Sequence, residues 1–539
     1  MGTQSNGQRR WNGWGKLNGE YEHSPSTQAV AMANERLGAA AALPLAELES
    51  VLAKVPASKL AEHPLLDLSP ETRVRHSRGQ SLPDLFALRS GELGAIPDAV
   101  ALPNDEVEVE ALLQLAEERN AMIIPYGGGT SVVGHINPAK TERPVITVSL
   151  ANFNKLCELD RESQIATLGA GLAGPELEAL LKAEGYTLGH FPQSWELSTV
   201  GGWVASRSSG QQSLRYGRIE KMFAGGTMVT PKGSLDIPTF PGTSAGTDLR
   251  EVVLGSEGRM GIITKVKMRV TPLPEEEHFY GVFFPSWQQG KALSKALAQQ
   301  MLPLSMMRLS NAEETSSHLK LGGDPKAIAY LEKYLSFRGV AEGKVMFTFG
   351  TTGDSKSCRF ALKQVKRLSR KFGGVYIGKL IGKAWEHSRF RSPYLRDGFM
   401  DLGYAIDTME TAVDWSKTDT TMAAIEEGIR KAAEGFGEKV HVFTHLSHFY
   451  PQGSSVYTTY MYRAGSDYQE AYDRWLALKQ AGAEAIVSVG GTISHQHGVG
   501  EDHKAYLPAE KGELGIATIQ SLCKHFDPNN IMNPGKLVD

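Results

Sequence analysis

The sequence Pro125-Tyr-Gly-Gly-Gly-Thr-Ser-Val-Val-Gly-His-Ile-Asn-Pro138 decides the fold of this protein. It follows directly on the apolar run from Ala121 to Ile124, which predicts a buried strand. Consecutive glycines let backbone N–H groups converge on an anion, and Thr130 and Ser131 add hydroxyl donors. The segment therefore predicts a phosphate cradle, and the alternative is a glycine-rich turn without a ligand.

The glycines match neither of the common nucleotide-binding motifs. No Gly-x-Gly-x-x-Gly opens a helix here, and no Gly-Lys-Ser/Thr closes the run. Two more Gly/Ser-rich segments follow, at Ser198–Gly210 and Gly255–Gly261. The three segments together resemble the FAD-binding domain of the vanillyl-alcohol-oxidase superfamily. That resemblance implies an α+β fold, with a two-subdomain PCMH-type FAD-binding domain, an α+β cap domain for the substrate and an N-terminal helical region.

Composition and charge limit the class of protein. At 539 residues the chain is too long for one hydrophobic core, so two or more domains are expected. With 41% apolar and 22% charged residues it has the composition of a soluble globular protein. The net charge of -3 gives no electrostatic footprint for nucleic acid, so no nucleic-acid partner is expected. Cys157, Cys358 and Cys523 lie far apart, which argues against a disulfide scaffold or a zinc site and fits a reducing compartment.

Hydropathy and the chain ends bear on location. No apolar run is long enough for a transmembrane helix, so any contact with a membrane is expected to be peripheral. The N-terminus lacks the apolar core of a secretory signal, and the sequence ends Lys-Leu-Val-Asp rather than in a peroxisomal tripeptide. We therefore expect a cytoplasmic protein.

Four regions are expected along the chain. They are an N-terminal helical region over 1–90, an FAD-binding PCMH-type domain over 91–273, a cap or substrate domain over 274–505, and a C-terminal helix over 506–539 that returns to the FAD domain. Helices are predicted from Gln28 to about Leu65 with a new start at Pro44, over Asp467–Gly482 and over Ala509–Phe526. Strands are predicted at Val266–Val270, Tyr280–Phe284, Val345–Thr348, Val440–Phe443, Val456–Tyr462 and Ala485–Val489.

A histidine-rich segment, Ser494-His-Gln-His-Gly-Val-Gly500, is the second strongest chemical signal. Imidazoles at positions i and i+2 project to the same side of an extended segment, which suits anion binding or proton relay. A zinc site would need a third ligand close by, and the other candidate histidines lie on another segment, so no metal is expected. The alternative is a pair of solvent-facing loop histidines, but the glycines at 498 and 500 favour close approach of the backbone to a ligand.

Tyr457 and Arg308 are the other candidates for chemistry. Alternation along the predicted strand puts Tyr457 on one face and Tyr460 with Tyr462 on the other, although a tyrosine in a strand commonly serves only core packing. Arg308 lies inside an apolar run, so its guanidinium must be paired or must hold an anion. The arginine-rich run around Arg391 is either a phosphate or carboxylate clamp or a solvated basic turn.

Together these segments are similar to the alkyldihydroxyacetone-phosphate synthase (alkylglycerone-phosphate synthase) family, nearly end to end. The most specific pieces are Trp11–Gly15, whose two indoles predict burial near the N-terminus, Pro125–Ser131, Ser198–Val204, Gly255–Gly258 and Ser494–Gly500. That family runs no net redox reaction. The resemblance implies exchange of the acyl group of acyl-dihydroxyacetone phosphate for a long-chain alcohol, through an adduct at flavin N5, in ether-lipid synthesis. It also implies a homodimer.

The resemblance implies which residues bind the cofactor and the substrate. The FAD pyrophosphate and the rest of the flavin are expected to contact Pro125, Tyr126, Gly127, Gly128, Gly129, Thr130, Ser131, Gly134, Gln193, Ser194, Thr199, Gly201, Gly202, Ser206, Gly210, Glu257 and Ile263. The catalytic residues are expected to be Tyr457, His495, His497 and Arg308. The substrate is expected to contact Arg308, Lys417, Gln496, His448 and Arg391.

Tyr457 matches the tyrosine that takes a proton from the reacting carbon in the family. A tyrosine suits that role when neighbouring cations depress its pKa, and His497 and Arg308 are the candidates. Two positions depart from the family pattern. Gln496 stands at the middle position of the family's histidine triplet, and a glutamine cannot titrate. Lys417 stands where the family has arginine, and a lysine keeps the charge but cannot form the two parallel hydrogen bonds of a guanidinium.

Two other functions fit parts of the pattern. An FAD-linked oxidase or dehydrogenase of a small 2-hydroxy acid, such as D-lactate or glycolate, carries a related Glu-His-Gly-Ile/Val-Gly segment, and Gln496–Gly500 differs from it by an amide. A flavin-bound scaffold without catalysis is the third, but Tyr457, Arg308 and the two histidines argue against it. The N-terminal tryptophans and the Ser494-His495 prefix favour the synthase.

Overall fold

The computed structural model describes residues 8–17, 24–321 and 325–539 and begins with a helical region. Its helices are α1 (Thr27–Leu37), α2 (Leu48–Leu52), α3 (Pro70–Arg75) and α4 (Leu82–Ser90). The prediction of helices from Gln28 to about Leu65 is confirmed for α1 and α2 and wrong for the rest of the stretch, and Pro44 starts no helix. Gly38 ends α1 with a φ of 85°, which favours glycine, and the chain to Glu47 is irregular. Residues 1–7 and 18–23 of this predicted region lie outside the described part of the chain.

The next unit combines a small parallel sheet with an antiparallel one. The parallel sheet has the order β1-β3-β2 and the antiparallel sheet the order β4-β5-β9-β7-β8, while β6 pairs with β10. The strands are β1 (Ala99–Ala101), β2 (Met122–Tyr126), β3 (Val145–Ser149), β4 (Leu156–Asp160), β5 (Ile165–Gly169), β6 (Tyr186–Thr187), β7 (Phe223–Thr230), β8 (Gly233–Ile237), β9 (Ile262–Arg269) and β10 (Thr271–Pro272). The helices are α5 (Glu106–Glu118), α6 (Gly174–Ala183), α7 (Val200–Ala205), α8 (Ser213–Tyr216), α9 (Ile219–Met222) and α10 (Arg250–Val253).

The cap is built on one antiparallel sheet of seven strands in the order β14-β11-β13-β12-β16-β17-β15. The strands are β11 (Glu276–Phe284), β12 (Met306–Ser310), β13 (Val345–Gly353), β14 (Val375–Tyr376), β15 (Tyr404–Asp414), β16 (His441–Phe449) and β17 (Gly453–Arg463). The helices are α11 (Trp287–Gln299), α12 (Ala312–Leu321), α13 (Pro325–Phe337), α14 (Ser355–Lys371), α15 (Leu380–Ser388), α16 (Ser392–Met400), α17 (Thr418–Gly435) and α18 (Tyr468–Ser488).

One predicted strand of the cap is wrong. Ala485–Val489 forms the last turn of α18 and its C-cap, where Ile486 is buried in the main core. A short apolar run does not distinguish a strand from one buried face of a helix, and here the preceding helix continues through it. The long strand β15 was not predicted, and it pairs with β17 along its whole length.

The C-terminal segment returns to the first unit. Helix α19 (Leu507–Phe526) follows a 3₁₀ turn at Lys504–Tyr506, and beyond it Met532 pairs with Ile123 of β2 in an isolated parallel bridge. The Asn533 side chain then donates to the carbonyl oxygen of Glu257 at 2.8 Å. The tail thus holds the strand that leads into the glycine run. Over the part of the chain that the structure describes, no helix is long and apolar enough to cross a membrane.

Candidate active site

The glycine run after β2 lets the backbone pack closely against the segment around Leu197 and Thr199. A Cβ placed on Gly128 would collide with the carbonyl oxygen of Leu197, and one on Gly127 with the hydroxyl of Thr199. Gly129 has a φ of 65°, which favours glycine. The backbone here has no room for side chains, as the predicted phosphate cradle requires. The N-terminal segment covers the cradle, since the Arg9 guanidinium donates to the carbonyl oxygen of Gly128 at 2.7 Å.

A cavity of about 510 Å³ runs from the cradle into the cap. Most of the residues predicted to hold the cofactor line it. They are Pro125, Tyr126, Gly127, Gly128, Gly129, Thr130, Ser131, Gln193, Ser194, Thr199, Gly201, Gly202, Ser206, Glu257 and Ile263.

Gly134 and Gly210, also predicted to contact the cofactor, are not in the cavity wall. Gly134 packs against Glu501, and Gly210 against the backbone of Phe191. Both glycines allow close packing between segments behind the wall, and their contact with the cofactor stays a prediction.

Polar atoms of the cavity wall point to a polar ligand. Thr199 Oγ1, Ser256 Oγ and Gln496 Oε1 are buried and have no hydrogen-bond partner among the described residues. Buried polar groups are nearly always hydrogen-bonded, so these atoms fit a ligand with many donors and acceptors. A flavin dinucleotide is such a ligand, and its pyrophosphate fits the glycine cradle.

Glu257 joins the cofactor side of the cavity to the histidine segment. Its side chain accepts from the backbone N–H of Val499 at 2.6 Å and of Gly500 at 2.8 Å. His135 Nε2 lies 3.2 Å from Glu257 Oε1. Although burial opposes it, His135 and the two N–H donors hold the pKa of Glu257 below its usual value. The carboxylate therefore stays ionised and fixes the loop beside the cavity.

Tyr457 stands at the inner end of the cavity between two histidines. Its ring stacks on His445 with ring centroids 4.9 Å apart, and the ring of His497 meets it edge-on at 6.1 Å. Burial raises the pKa of Tyr457 to about 12, and the nearby carboxylates of Glu410 and Asp407 add to the rise. The expectation that neighbouring cations depress this pKa is therefore wrong for the protein without ligands, because Arg308 only partly offsets burial.

Arg308 is paired, as a guanidinium inside an apolar run must be. It donates to Glu314 Oε1 at 2.6 Å, and the same oxygen lies 3.0 Å from His445 Nδ1. Burial opposes ionisation of Glu314, but Arg308 and His445 hold its pKa well below the usual value. The other oxygen of Glu314 is buried without a partner among the described residues. This arrangement places one cation and one carboxylate beside Tyr457.

His495 lies behind the cavity wall rather than in it. Its Nε2 atom is 2.7 Å from the guanidinium of Arg218 and 2.6 Å from the hydroxyl of Tyr450. A guanidinium only donates, so Nε2 carries no proton. Burial and Arg218 lower the pKa of His495 well below its usual value. His495 is therefore a neutral acceptor, and its action at the substrate stays a prediction.

The predicted substrate contacts divide into two groups. Gln496 and His448 line the cavity together with Arg308 and His497, and His448 Nδ1 lies 3.0 Å from the hydroxyls of both Ser209 and Ser213. Lys417 and Arg391 are exposed and outside the wall, and their contact with the substrate stays a prediction.

The positions of Lys417 and Arg391 have simple structural explanations. Lys417 is the N-cap residue of α17 and donates to the carbonyl oxygen of Val489. Arg391 is the N-cap residue of α16, and the wall beside it is formed by later residues of that helix, such as Arg396.

Sequence reasoning missed three charged residues of the site. Glu410 and Arg218 hold His497 and His495 in place from distant parts of the chain, whereas Glu314 holds Arg308 from six residues away. Glu410 was missed because β15 was not recognised as a strand. A charged residue within an otherwise apolar or alternating run is the one signal that could have identified Glu410.

Comparison with known proteins agrees with this site. Residues 97–236 match the family model described as FAD binding domain, and residues 273–537 match FAD linked oxidases, C-terminal domain. Alkyldihydroxyacetonephosphate synthase of Dictyostelium discoideum is 33% identical over 474 residues, which cover 86% of this chain and 77% of that protein. A solved structure of alkyldihydroxyacetonephosphate synthase superposes with a TM-score of 0.84 at 28% identity, over 98% of both chains.

The predicted fold class is confirmed as well. The solved structure of p-cresol methylhydroxylase with substrate bound is 14% identical and superposes with a TM-score of 0.67, over 93% of this chain and 99% of that one, which shows a shared fold. The protein binds FAD, as the cradle, the unpartnered wall atoms and the two family models agree. The chain belongs to the alkyldihydroxyacetonephosphate synthase family of FAD-dependent enzymes.

Proposed function

We propose that this protein exchanges the acyl group of acyl-dihydroxyacetone phosphate for a long-chain alcohol and so forms an ether bond without net redox chemistry. The observation that carries the proposal is one cavity that joins the FAD cradle to Tyr457, His497 and Arg308. A flavoprotein site that ends at a proton-transfer residue and a cation suits a substrate with an acidic carbon and a phosphate.

The residues of the cavity have distinct tasks in this reaction. When bound, FAD supplies a nucleophilic ring nitrogen, which divides one difficult displacement into two easier ones. Tyr457 takes the proton from the carbon next to the ketone, and Arg308 attracts the phosphate. Burial lowers the pKa of His448 to about 3, so this histidine is neutral and contributes a hydrogen bond rather than a charge. The phosphate of the substrate carries two negative charges. Once bound, it competes with Glu314 for the guanidinium of Arg308. The fatty carboxylate leaves, the alcohol oxygen bonds to the same carbon and the alcohol proton is released to solvent. Tyr457 then returns its proton to that carbon.

The apolar part of the cavity fits the chains of the two substrates. Met32, Met306, Phe399, Phe443 and Met461 line it beyond the charged cluster. Burying a methylene group stabilises binding by about 0.8 kcal/mol, so an alkyl chain of many carbons gains strongly from such a wall. A small hydroxy acid gains nothing from it.

The test compares two substrates on the purified FAD-loaded protein under anaerobic conditions. With acyl-dihydroxyacetone phosphate, the flavin absorbance should bleach and free fatty acid should appear, and with labelled hexadecanol an ether product should form. With D-lactate or glycolate neither change is expected. Reduction by a hydroxy acid without fatty-acid release would replace the synthase with an oxidoreductase. That alternative is weaker, because the matched relative and the superposed structure with the higher TM-score are synthases.

We also propose that the protein works as a cytoplasmic homodimer that touches a membrane peripherally. Exposed apolar side chains support the membrane contact: Phe337 is 87% exposed on α13, and Leu380 is 66% exposed on α15. Helix α15 also carries Trp385, which lines the cavity, so the helix with the exposed Leu380 lies next to the candidate active site. A long-chain alcohol is available mainly from a bilayer.

Sedimentation with liposomes tests the membrane contact. The double variant Phe337→Ser, Leu380→Ser should leave most of the protein in the supernatant, whereas the wild type sediments. Leu514→Ser is the matched control, because Leu514 is 82% exposed on α19. Equal sedimentation of the double variant and the wild type would place the contact elsewhere, and sedimentation equilibrium in the same buffer checks the dimer.

A further inference from the structure

Glu410 is a buried carboxylate with an unusual number of donors. The residue is 2% exposed, and its two oxygens accept from the Ser494 hydroxyl at 2.9 Å and from the backbone N–H groups of His495, Gln496 and His497 at 2.8, 3.0 and 3.1 Å. Three successive N–H groups that converge on one carboxylate fix the path of the backbone. The segment from Ser494 to His497 is therefore folded around the Glu410 side chain.

The position of Glu410 in the sheet relates it to Tyr457. Glu410 on β15 is the register partner of Tyr457 on β17, and Tyr457 is the register partner of His445 on β16. Directly paired residues of neighbouring strands project to the same face. The three side chains therefore form a row across the cavity face of the sheet, with Tyr457 in the middle.

His497 completes this arrangement. Its Nδ1 atom lies 3.5 Å from Glu410 Oε1, and its ring meets Tyr457 edge-on. The titratable or charged groups that face His497 from the packed elements are Glu410 and Asp407 on β15, His448 on β16, Tyr457 on β17, Lys479 on α18, His135 after the glycine run, His495 on the same segment, and His503. Burial lowers the pKa of His497, and Glu410 is the strongest influence that opposes the fall.

We propose that Glu410 is a positioning residue, which folds the histidine segment onto the cavity and is the counter-ion that allows His497 to carry positive charge beside Tyr457. A cation at His497 stabilises the phenolate that Tyr457 must form, although burial alone raises the pKa of that phenol. The role in catalysis rests on the proposed function, whereas the ion pair does not.

Two variants separate the charge of Glu410 from its geometry. Glu410→Gln keeps the size and removes the charge. Glu410→Asp keeps the charge, but its shorter side chain cannot reach all of the backbone donors. Glu426→Gln is the matched control, because Glu426 accepts from Thr444 at 2.7 Å and from Asn311 at 3.1 Å and does not line the cavity.

The experiment measures the His497 titration by NMR in the FAD-loaded protein, with the resonance assigned by its loss in His497→Gln. Glu410→Gln should lower the His497 pKa by about one unit or more, since an opposite charge at this distance shifts a pKa by one to three units. In the pH–rate profile of the exchange reaction, the apparent pKa of the high-pH limb should fall by the same amount. Glu410→Asp should keep the His497 pKa near the wild-type value while kcat falls at least tenfold, and Glu426→Gln should change neither.

Clear outcomes would overturn the proposal. An unchanged His497 pKa in Glu410→Gln would leave Glu410 a purely structural residue, whatever happens to the rate. If Glu410→Gln fails to fold, Glu410→Asp decides, since a lowered His497 pKa there contradicts the counter-ion role. If the wild type catalyses no exchange, the proposed function fails, and the NMR titration still decides whether Glu410 and His497 are paired.

Discussion

The rings of Tyr457 and His445 stack in the cavity with centroids 4.9 Å apart and planes inclined by 22°. The stack holds the phenol rigidly, because His445 is itself bonded to Glu314 and lies on the neighbouring strand in register. The ring of Tyr457 thus has packing partners, and its hydroxyl is left to move a proton.

Tyr457→Phe should abolish acyl-for-alkyl exchange and leave FAD content unchanged, because the substitution removes the hydroxyl and keeps the stacked ring. The rate of ether formation and the flavin-to-protein absorbance ratio measure this. Tyr462→Phe is the matched control: Tyr462 lies on the opposite face of the same strand, and its buried hydroxyl has no partner among the described residues. Substantial activity in Tyr457→Phe would make Tyr457 a packing residue.

Gly128→Ala should lose FAD, because the new methyl group would collide with the Leu197 carbonyl oxygen and push the backbone away from the pyrophosphate. Flavin absorbance after gel filtration measures the loss. Gly435→Ala is the control, since no atom lies within 4 Å of the added Cβ, and alanine should stabilise the end of α17 by about 0.5 to 1 kcal/mol. Full flavin occupancy in Gly128→Ala would refute the cradle.

FAD should be bound without a covalent link. The glycine run itself carries no histidine or cysteine, and none of the three cysteines lines the cavity. Acid precipitation should therefore release all of the flavin into the supernatant. Yellow colour that remains with the washed precipitate would show a covalent bond.

Gln496→His and Lys417→Arg should now differ in effect. Gln496 lines the cavity with an unpartnered Oε1 atom, so an imidazole there should preserve or raise exchange if the site is that of a synthase. Lys417 is exposed and its side chain donates to the Val489 carbonyl oxygen, so Lys417→Arg should leave kcat/KM within about twofold of the wild type. A large loss in Lys417→Arg would show that this surface acts on the reaction.

The stability should fall with acid because of buried neutral histidines such as His190. Burial lowers the pKa of His190 to about 3, whereas the unfolded chain has the ordinary value of 6.5. Between these pH values the unfolded state binds more protons, so the free energy of unfolding falls as pH falls. From pH 7 to pH 5 this one histidine accounts for roughly 2 kcal/mol.

Urea unfolding at both pH values measures the effect of His190. His190→Gln should remove about that part of the pH dependence, whereas His525→Gln, an exposed control on α19, should keep it. If the free energy of unfolding falls between pH 7 and pH 5 as much in His190→Gln as in the wild type, His190 is not a neutral buried histidine.

Local chemistry made the cofactor site readable from the sequence. The three consecutive glycines after a predicted strand can be recognised from neighbouring residues alone, although the contacts of Gly127 and Gly128 with Thr199 and Leu197 are tertiary. The alternation that puts Tyr457 on one face of β17 and Tyr460 on the other is also local. A guanidinium in an apolar run must likewise be paired, and Arg308 is. Such statements depend on bond geometry and burial, which a short stretch of sequence already determines.

Only the tertiary structure decided which partners complete the site. Glu410 reaches the backbone of His495 across 85 residues of sequence, and Arg218 reaches the ring of the same histidine across 277. Packing likewise decided that Ala485–Val489 continues α18 and that Lys417 lies outside the cavity. No short-range pattern encodes such contacts, because they arise only when distant strands and loops close around one buried charge.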